Sequence, residues 1–211
     1  WMEQKNKIDW GERKEKVKKI LSKYKKNNHQ FDCLVPVSGG KDGSYVAYNL
    51  KHKYGMNPLC ITVTPALSLA LGDKNLKSFI EKGYSHISIN PSSKGMQLLN
   101  KKGFVEKGFP YYGWLTAITT VPIIMGLKMG IELIFYGEDG EIEYGGSQKT
   151  LETPIYDVQY IKDIYLEGGY EDIIMNSGLE DEDRFFFQFP NDDEFNSLFV
   201  VNDKEFKEKM I

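Results

Sequence analysis

Apolar and polar residues alternate along this chain in two different periods. Short apolar runs predict strands, and the segments between them repeat their apolar residues at helical spacing. The predicted strands are residues 31–37, 58–64, 86–90 and 131–136, and the predicted helices are residues 9–26, 44–54, 74–82, 92–102 and 113–129. Strands that alternate with helices predict an α/β fold, an open parallel sheet with helices on both faces.

The pattern weakens after residue 146. Residues 155–165 and 203–210 are predicted to be helical, and residues 166–202 show no clear period. The aromatic run Phe185–Phe187 is interpreted as a buried or interface strand. The chain begins with Trp1 rather than Met, so we expect a segment of a longer protein.

A glycine-rich segment separates the first predicted strand from the next helix. Residues 38–44 read Ser-Gly-Gly-Lys-Asp-Gly-Ser and directly follow the apolar run Leu34–Val37. Glycines let backbone N–H groups surround phosphate oxygens, and a helix N-terminus adds donors and the positive end of its dipole. The segment therefore predicts a site that holds a nucleotide by its phosphates.

The spacing of this segment excludes two common phosphate loops. Lys41 is followed by Asp42, which excludes a Walker A loop, and Gly39 and Gly40 are adjacent, which excludes the Rossmann fingerprint. The remaining pattern, Ser-Gly-Gly-x-Asp, resembles the PP-loop of the ATP pyrophosphatases, whose usual form continues with Ser. The resemblance implies a Rossmann-like domain that cleaves ATP between its α and β phosphates and passes an adenylyl group to an oxygen, with ATP and Mg²⁺ as cofactors.

The predicted strand ends place several polar residues in one crevice, since ligands of open α/β sheets lie at the carboxyl ends of the strands. Ser38, Lys41 and Asp42 are the candidate catalytic residues: Ser38 is expected to hold phosphate oxygens, Lys41 either reaches phosphate or points to solvent, and Asp42 binds Mg²⁺. Glu138 is the second candidate Mg²⁺ ligand, and the alternative for it is a solvated turn. The backbone of residues 62–64 is expected to read the adenine edge. The whole set of expected nucleotide contacts is Pro36, Val37, Ser38, Gly39, Gly40, Asp42, Gly43, Ser44, Thr62, Val63, Thr64, Gly137 and Glu138.

A second motif follows the fourth predicted strand. Residues 137–146 read Gly-Glu-Asp-Gly-Glu-Ile-Glu-Tyr-Gly-Gly. Together with Val-Pro-Val-Ser-Gly-Gly-Lys-Asp at 35–42 and Ile-Asp-Trp at 8–10, this stretch resembles the N-acetyl sugar amidotransferases of bacterial lipopolysaccharide and flagellin-sugar biosynthesis. The resemblance covers about residues 8–165. It implies three regions: an N-terminal helical extension (1–30), a PP-loop nucleotide-binding domain (31–150) and a C-terminal helical or irregular segment (151–211).

The amidotransferase resemblance implies a specific reaction. ATP adenylates the acetamido oxygen of a sugar, ammonia from a separate glutaminase subunit displaces AMP, and an acetamidino group results. Glu143, Tyr144 and Tyr111 then become candidate sugar contacts. The alternative for the aromatic residues at 111–114 is packing at the start of a helix.

The chain departs from the family in ways that keep other functions open. Gly43 stands where the PP-loop normally has Ser, and residues 109–114 lack the Cys-x-x-Cys-His cluster of relatives, so a structural zinc is not expected. The alternatives are another PP-loop enzyme, acting on tRNA, and a non-catalytic ATP-binding subunit. From the family pattern we expect Gly43→Ser to be tolerated or to improve nucleotide affinity.

Composition and charge limit the classes of partner that we expect for this chain. The 27 basic and 30 acidic residues give a net charge of −3, which argues against a nucleic-acid groove over the whole surface. Cys33 and Cys60 lie in apolar strand-like runs and are expected to be buried thiols in a reducing, cytoplasmic compartment. The sequence shows neither a membrane span nor a signal peptide, and a homo-oligomer is compatible with it.

Overall fold

The computed structural model describes residues 9–26, 30–137 and 158–201. Its first helices are α1 (Trp10–Tyr24), α2 (Lys41–Tyr48, continued by a π-helical turn Asn49–Lys53), α3 (Ala70–Glu81), α4 (Ser93–Lys107) and α5 (Tyr112–Met129). The strands are β1 (Cys33–Pro36), β2 (Pro58–Val63), β3 (Ser85–Ile89), β4 (Leu133–Phe135) and β5 (Phe199–Val201). The later helices are short: α6 (Val158–Tyr160, continued by a π-helical turn Ile161–Tyr165), α7 (Tyr170–Met175), α8 (Asp181–Arg184) and α9 (Asp192–Asn196).

The five strands form one parallel sheet in the order β3-β2-β1-β4-β5. Leu34 of β1 is in register with Leu59 of β2 on one side and Ile134 of β4 on the other. The strand order reverses between β1 and β4, and such a switch point is where open α/β sheets bind ligands. The predicted α/β fold, an open parallel sheet with helices on both faces, is confirmed.

Helices cover both faces of the sheet, and each face has its own hydrophobic core. We call the face under α1, α2 and α3 the loop face; its core joins Cys33, Val35 and Cys60 to Val17, Val46 and other helix residues. We call the other the opposite face; its core joins Leu34 and Ile61 to α4, α5 and residues 158–195. Alternate strand residues point to opposite faces, which explains this division.

Local signals in the sequence fix several helix ends. The Asp9 side chain accepts a hydrogen bond from the Glu12 amide at 3.0 Å and caps α1, as the Asp-x-x-Glu pattern predicts. Gly108 and Gly130 adopt the left-handed conformation (φ 69° and 63°) that ends α4 and α5. Pro122 lies inside α5.

The structure corrects two predictions in the C-terminal region. Residues 166–201, which lack a clear period, form short helices and the fifth strand, β5, which joins the sheet beside β4. Phe185–Phe187 is a 3₁₀ turn rather than a strand. In this turn Phe187 is fully buried while Phe185 is half exposed, so consecutive aromatic residues do not share one buried face. The predicted helix at 203–210 lies outside the described residues.

Both cysteines are buried free thiols, as expected. Burial raises the pKa of the Cys33 thiol well above its ordinary value and raises the pKa of Cys60 to about 12. Both therefore stay protonated at neutral pH and act as small apolar residues. Within the described ranges, no helix combines the length and the apolar character that a membrane crossing requires.

Candidate functional site

The glycine-rich segment forms a tight turn at the switch point. β1 ends at Pro36 and α2 begins at Lys41, so only residues 37–40 connect them. Gly39 has φ +80°, and a Cβ atom there would lie 2.6 Å from the Leu76 amide nitrogen of α3. Both the backbone conformation and the close approach of α3 therefore require glycine at this position.

The N-terminus of α2 opens onto this turn. Its N-cap residue is Gly40, which has no side chain to bond the first-turn amides. The Gly40 N–H itself donates to Ser38 Oγ at 3.3 Å, and the Ser38 side chain is exposed. The amides of a first helical turn have no partner within the helix, and together with the dipole they attract anions. The turn thus offers backbone donors and one hydroxyl to a phosphate.

Two glycines bring β4 against the start of α2. A Cβ on Gly137, two residues after β4, would lie 2.4 Å from the Gly43 amide nitrogen and 2.6 Å from its Cα. A Cβ on Gly43 would lie 2.6 Å from the Pro36 carbonyl oxygen. The main chains that leave β1 and β4 therefore touch the helix start without intervening side chains.

This packing overturns one expectation from the family pattern. Gly43→Ser was expected to be tolerated, yet its Cβ would approach the backbone of Pro36 to 2.6 Å and Val37 Cα to 3.2 Å. Backbone atoms cannot swing aside as the end of a flexible side chain does. The glycine at 43 is thus a packing requirement in this chain, and the neighbouring Ser44 is half-buried within α2.

Asp42 lies in the first turn of α2 and is paired with its neighbour. Lys41 Nζ lies 2.8 Å from Asp42 Oδ1 and 3.0 Å from Oδ2. The Lys41 side chain is 70% exposed, whereas that of Asp42 is 18% exposed. The Asp42 side chain is therefore largely buried, while the Lys41 side chain that pairs with it extends toward solvent.

One carboxylate beside a phosphate site fits the way Mg²⁺ is usually held, by one or two carboxylates together with substrate phosphates. The part of the chain that the structure describes has no cluster of three or more His, Cys, Asp or Glu side chains able to hold a metal. The other predicted ligand, Glu138, lies outside the described residues. Asp42 is therefore the predicted Mg²⁺ ligand whose surroundings the structure describes.

The end of β2, where adenine recognition was expected, is largely occupied by internal hydrogen bonds. The Thr64 amide donates to Ile89 O at 2.9 Å, and the Val37 amide donates to Ile61 O at 2.8 Å. Thr62 and Val63 are each 7% exposed. The Thr62 hydroxyl contacts Val37 O and His86 Nε2, two contacts between segments that are distant in the sequence. Only Thr64 of the three residues is more than slightly exposed.

The structure describes one of the three candidate sugar contacts, Tyr111. Glu143 and Tyr144 lie outside the described residues. Tyr111 lies immediately before α5 and is 52% exposed, whereas its neighbour Tyr112 is 1% exposed and packs on Gly103 of α4. The Gly113 amide donates to Asn100 Oδ1 at 2.8 Å. The start of α5 is thus packed on α4, and Tyr111 is the aromatic residue of this cluster whose side chain projects outward.

Comparisons with known proteins give little further. No protein-family model matches the chain. A 50-residue stretch, 24% of this chain, is 40% identical to an uncharacterized protein of Methanocaldococcus jannaschii and spans 18% of that protein's length. A solved structure described as a predicted subunit of tRNA methyltransferase, also from Methanocaldococcus jannaschii, is similar with a TM-score of 0.40 and 15% identity. That alignment covers 79% of this chain and 73% of the other, and at this TM-score it supports no inference.

Proposed function

We propose that this chain binds ATP through the turn at residues 38–43 and acts as an adenylating enzyme of the PP-loop type. The observation that supports the proposal is the geometry of that turn: a left-handed Gly39, an N-cap without a side chain and a largely buried Asp42, all at the switch point between β1 and β4. The backbone donors of the turn would hold the pyrophosphate part of the nucleotide.

In this proposal the charged residues of the turn divide the electrostatic work. Asp42 would ligate Mg²⁺, which when bound neutralises charge that develops on the pyrophosphate leaving group. Lys41 lies beside that carboxylate and extends outward, so its ammonium group can follow a phosphate oxygen as a point charge. Ser38 Oγ, which accepts from the Gly40 amide, would turn its hydroxyl proton to a phosphate oxygen.

The acceptor of the adenylyl group is proposed as the acetamido oxygen of an N-acetyl sugar, with ammonia as the second nucleophile. This part of the proposal depends on the resemblance of residues 137–146 to the sugar amidotransferases. Because Glu143 and Tyr144 lie outside the described residues, exposed Tyr111 is the one candidate sugar contact whose surroundings are described.

A second acceptor, a tRNA nucleoside, is favoured by the distribution of charge. The helices of the loop face and their flanking residues (9–26, 41–54 and 70–82) hold fourteen Lys and Arg against six Asp and Glu. The helical segments of the opposite face (93–129 and 158–198) hold seven against twelve. The chain as a whole has a negative net charge. The layer beside the turn at residues 38–43, which we call the phosphate loop, is basic, as a surface that approaches a nucleic-acid backbone requires.

The experiment that tests the proposal begins with calorimetric titration of ATP with Mg²⁺. Pyrophosphate release is then measured with ATP alone, with N-acetyl sugars plus ammonia, and with unmodified tRNA plus ammonia. Release that requires a sugar supports the amidotransferase, and release that requires tRNA supports the second candidate. Binding of ATP without acceptor-dependent release indicates a non-catalytic nucleotide-binding subunit. An absence of ATP binding contradicts the proposed function altogether.

A further inference from the structure

The buried Thr62 hydroxyl connects the edge strand β3 to the first peptide group of the phosphate loop. Thr62 Oγ1 lies 2.6 Å from Val37 O and 2.8 Å from His86 Nε2. Thr62 belongs to β2 and His86 to β3, and both side chains project to the loop face. Val37 is the residue between β1 and Ser38, so its carbonyl belongs to the peptide group that opens the loop.

The direction of each hydrogen bond follows from the number of protons. A carbonyl oxygen only accepts, so the single hydroxyl proton of Thr62 must point to Val37 O. The Thr62 oxygen then accepts from His86, which requires a proton on Nε2. The result is a chain from the imidazole through the hydroxyl to the carbonyl, in which each bond polarises the next.

The hydrogen bonds of Val37 hold two successive peptide groups where β1 leads into the loop. The Val37 amide, in the Pro36–Val37 peptide, donates to Ile61 O at 2.8 Å, and the Val37 carbonyl, in the Val37–Ser38 peptide, accepts from the Thr62 hydroxyl. Rotation of the Val37–Ser38 peptide would redirect the Ser38 N–H and displace Gly39 from its seat against Leu76, where an added Cβ would be 2.6 Å from the Leu76 nitrogen.

We infer that Thr62 and His86 are positioning residues of the phosphate loop: through Val37 O they fix the peptide plane that presents the Ser38 amide to the ligand and from which the chain continues to Gly39. The ligand, ATP, rests on the proposed function, whereas the effect on the loop does not. Neither side chain touches the phosphates in this arrangement. His86 has no metal-ligand neighbour at helical spacing in the sequence, and its partner Thr62 lies on the adjacent strand β2.

The test compares variants that remove or retain each hydrogen bond. Thr62→Val and His86→Leu remove the hydroxyl and the imidazole donor, Thr62→Ser retains the hydroxyl, and His86→Gln retains an N–H at a similar reach. Ser88→Ala serves as the control, because Ser88 is the register partner of Thr62 on β3 and is exposed. Thermal unfolding of every variant reports on folding.

Two measurements decide the inference. Loss of one buried hydrogen bond is expected to weaken the affinity for ATP with Mg²⁺ between about twofold and tenfold in Thr62→Val and His86→Leu, and to leave Thr62→Ser, His86→Gln and Ser88→Ala close to the unchanged protein. Amide hydrogen exchange of residues 38–40 without nucleotide is expected to accelerate in the same two variants.

The outcomes separate this inference from the proposed function. Unchanged ATP affinity and unchanged exchange at residues 38–40 in Thr62→Val and His86→Leu overturn the inference and leave ATP binding intact. A lower unfolding temperature with exchange accelerated evenly over the sheet also overturns it, since that result describes sheet packing alone. If the unchanged protein does not bind ATP, the proposed function fails, and the exchange of the 38–40 amides still decides whether Thr62 and His86 hold the loop.

Discussion

The two faces of the sheet differ in how many apolar side chains they bury. Among the described residues, the core of the opposite face contains twenty-three buried apolar side chains and that of the loop face thirteen. None of the residues of α3, on the loop face, is buried, whereas ten of those in α5, on the opposite face, are. The candidate site thus lies on the thinner layer. Stability and ligand binding should therefore respond to different substitutions.

Asp42→Asn is expected to give the largest difference between the effect on activity and the effect on stability. The substitution removes the charge that would hold Mg²⁺ but retains the shape of the side chain, so pyrophosphate release should fall by about 100-fold or more while the fold persists. Release is measured at saturating ATP and acceptor, and circular dichroism checks the fold. Asp73→Asn is the matched control, since Asp73 is exposed in the first turn of α3. Turnover unaffected by Asp42→Asn refutes the metal role of this carboxylate.

A substitution in the core of the opposite face should lower stability and leave ATP affinity unchanged. Phe187 is fully buried, and Phe187→Ala should lower the free energy of unfolding by about 3–5 kcal/mol through lost burial and the cavity that remains. Urea unfolding measures this loss, and Phe185→Ala is the control because Phe185 is 49% exposed. ATP affinity of the folded Phe187→Ala protein should stay unchanged. A parallel loss of affinity would show that the two faces are not independent.

Gly43→Ser tests the loop face by overpacking. Because its Cβ would meet Pro36 O at 2.6 Å, the substitution should cost about 1–3 kcal/mol and displace the start of α2, with weaker ATP binding as a result. Calorimetry measures the affinity. Gly72→Ser is the control, because a Cβ at this exposed position of α3 would have nothing within 4 Å. Affinity equal to or better than that of the unchanged protein would restore the expectation drawn from the family pattern.

The smallest expected effect is a dependence of stability on pH. Burial lowers the pKa of His86 from its ordinary value of 6.5, so the unfolded chain binds a proton more readily than the folded one. This contribution to stability is complete above about pH 6.5 and is lost as the pH falls through the lower folded-state pKa. Unfolding free energies of the unchanged protein and His86→Gln are compared between pH 7 and 5. Equal slopes for the two proteins would contradict the expectation.

The sequence predicted the part of this architecture that local patterns determine. Apolar runs between residues 31 and 136 predict the first four strands, and residues 31–54 predict the order of strand, glycine turn and helix, because apolar runs and glycines act within a few positions. β5 was missed, since Phe199–Val201 is three residues long and is a strand only because β4 lies beside it.

The errors at the site have a similar cause. The requirement for glycine at 43 comes from Pro36 and Gly137, and the role of Thr62 comes from Val37 and His86 on two other strands. A single sequence contains no distances between strand ends. The family pattern therefore suggested a missing serine where the structure has no room for a side chain.

The contact between Gly137 and Gly43 has a mechanical consequence. Two bare stretches of main chain touch there, with a Cβ on Gly137 placed 2.4 Å from the Gly43 nitrogen. No rotamer change can absorb a displacement at such a junction. A shift of the start of α2 would therefore be passed directly to the main chain at Gly137, where the chain leaves β4.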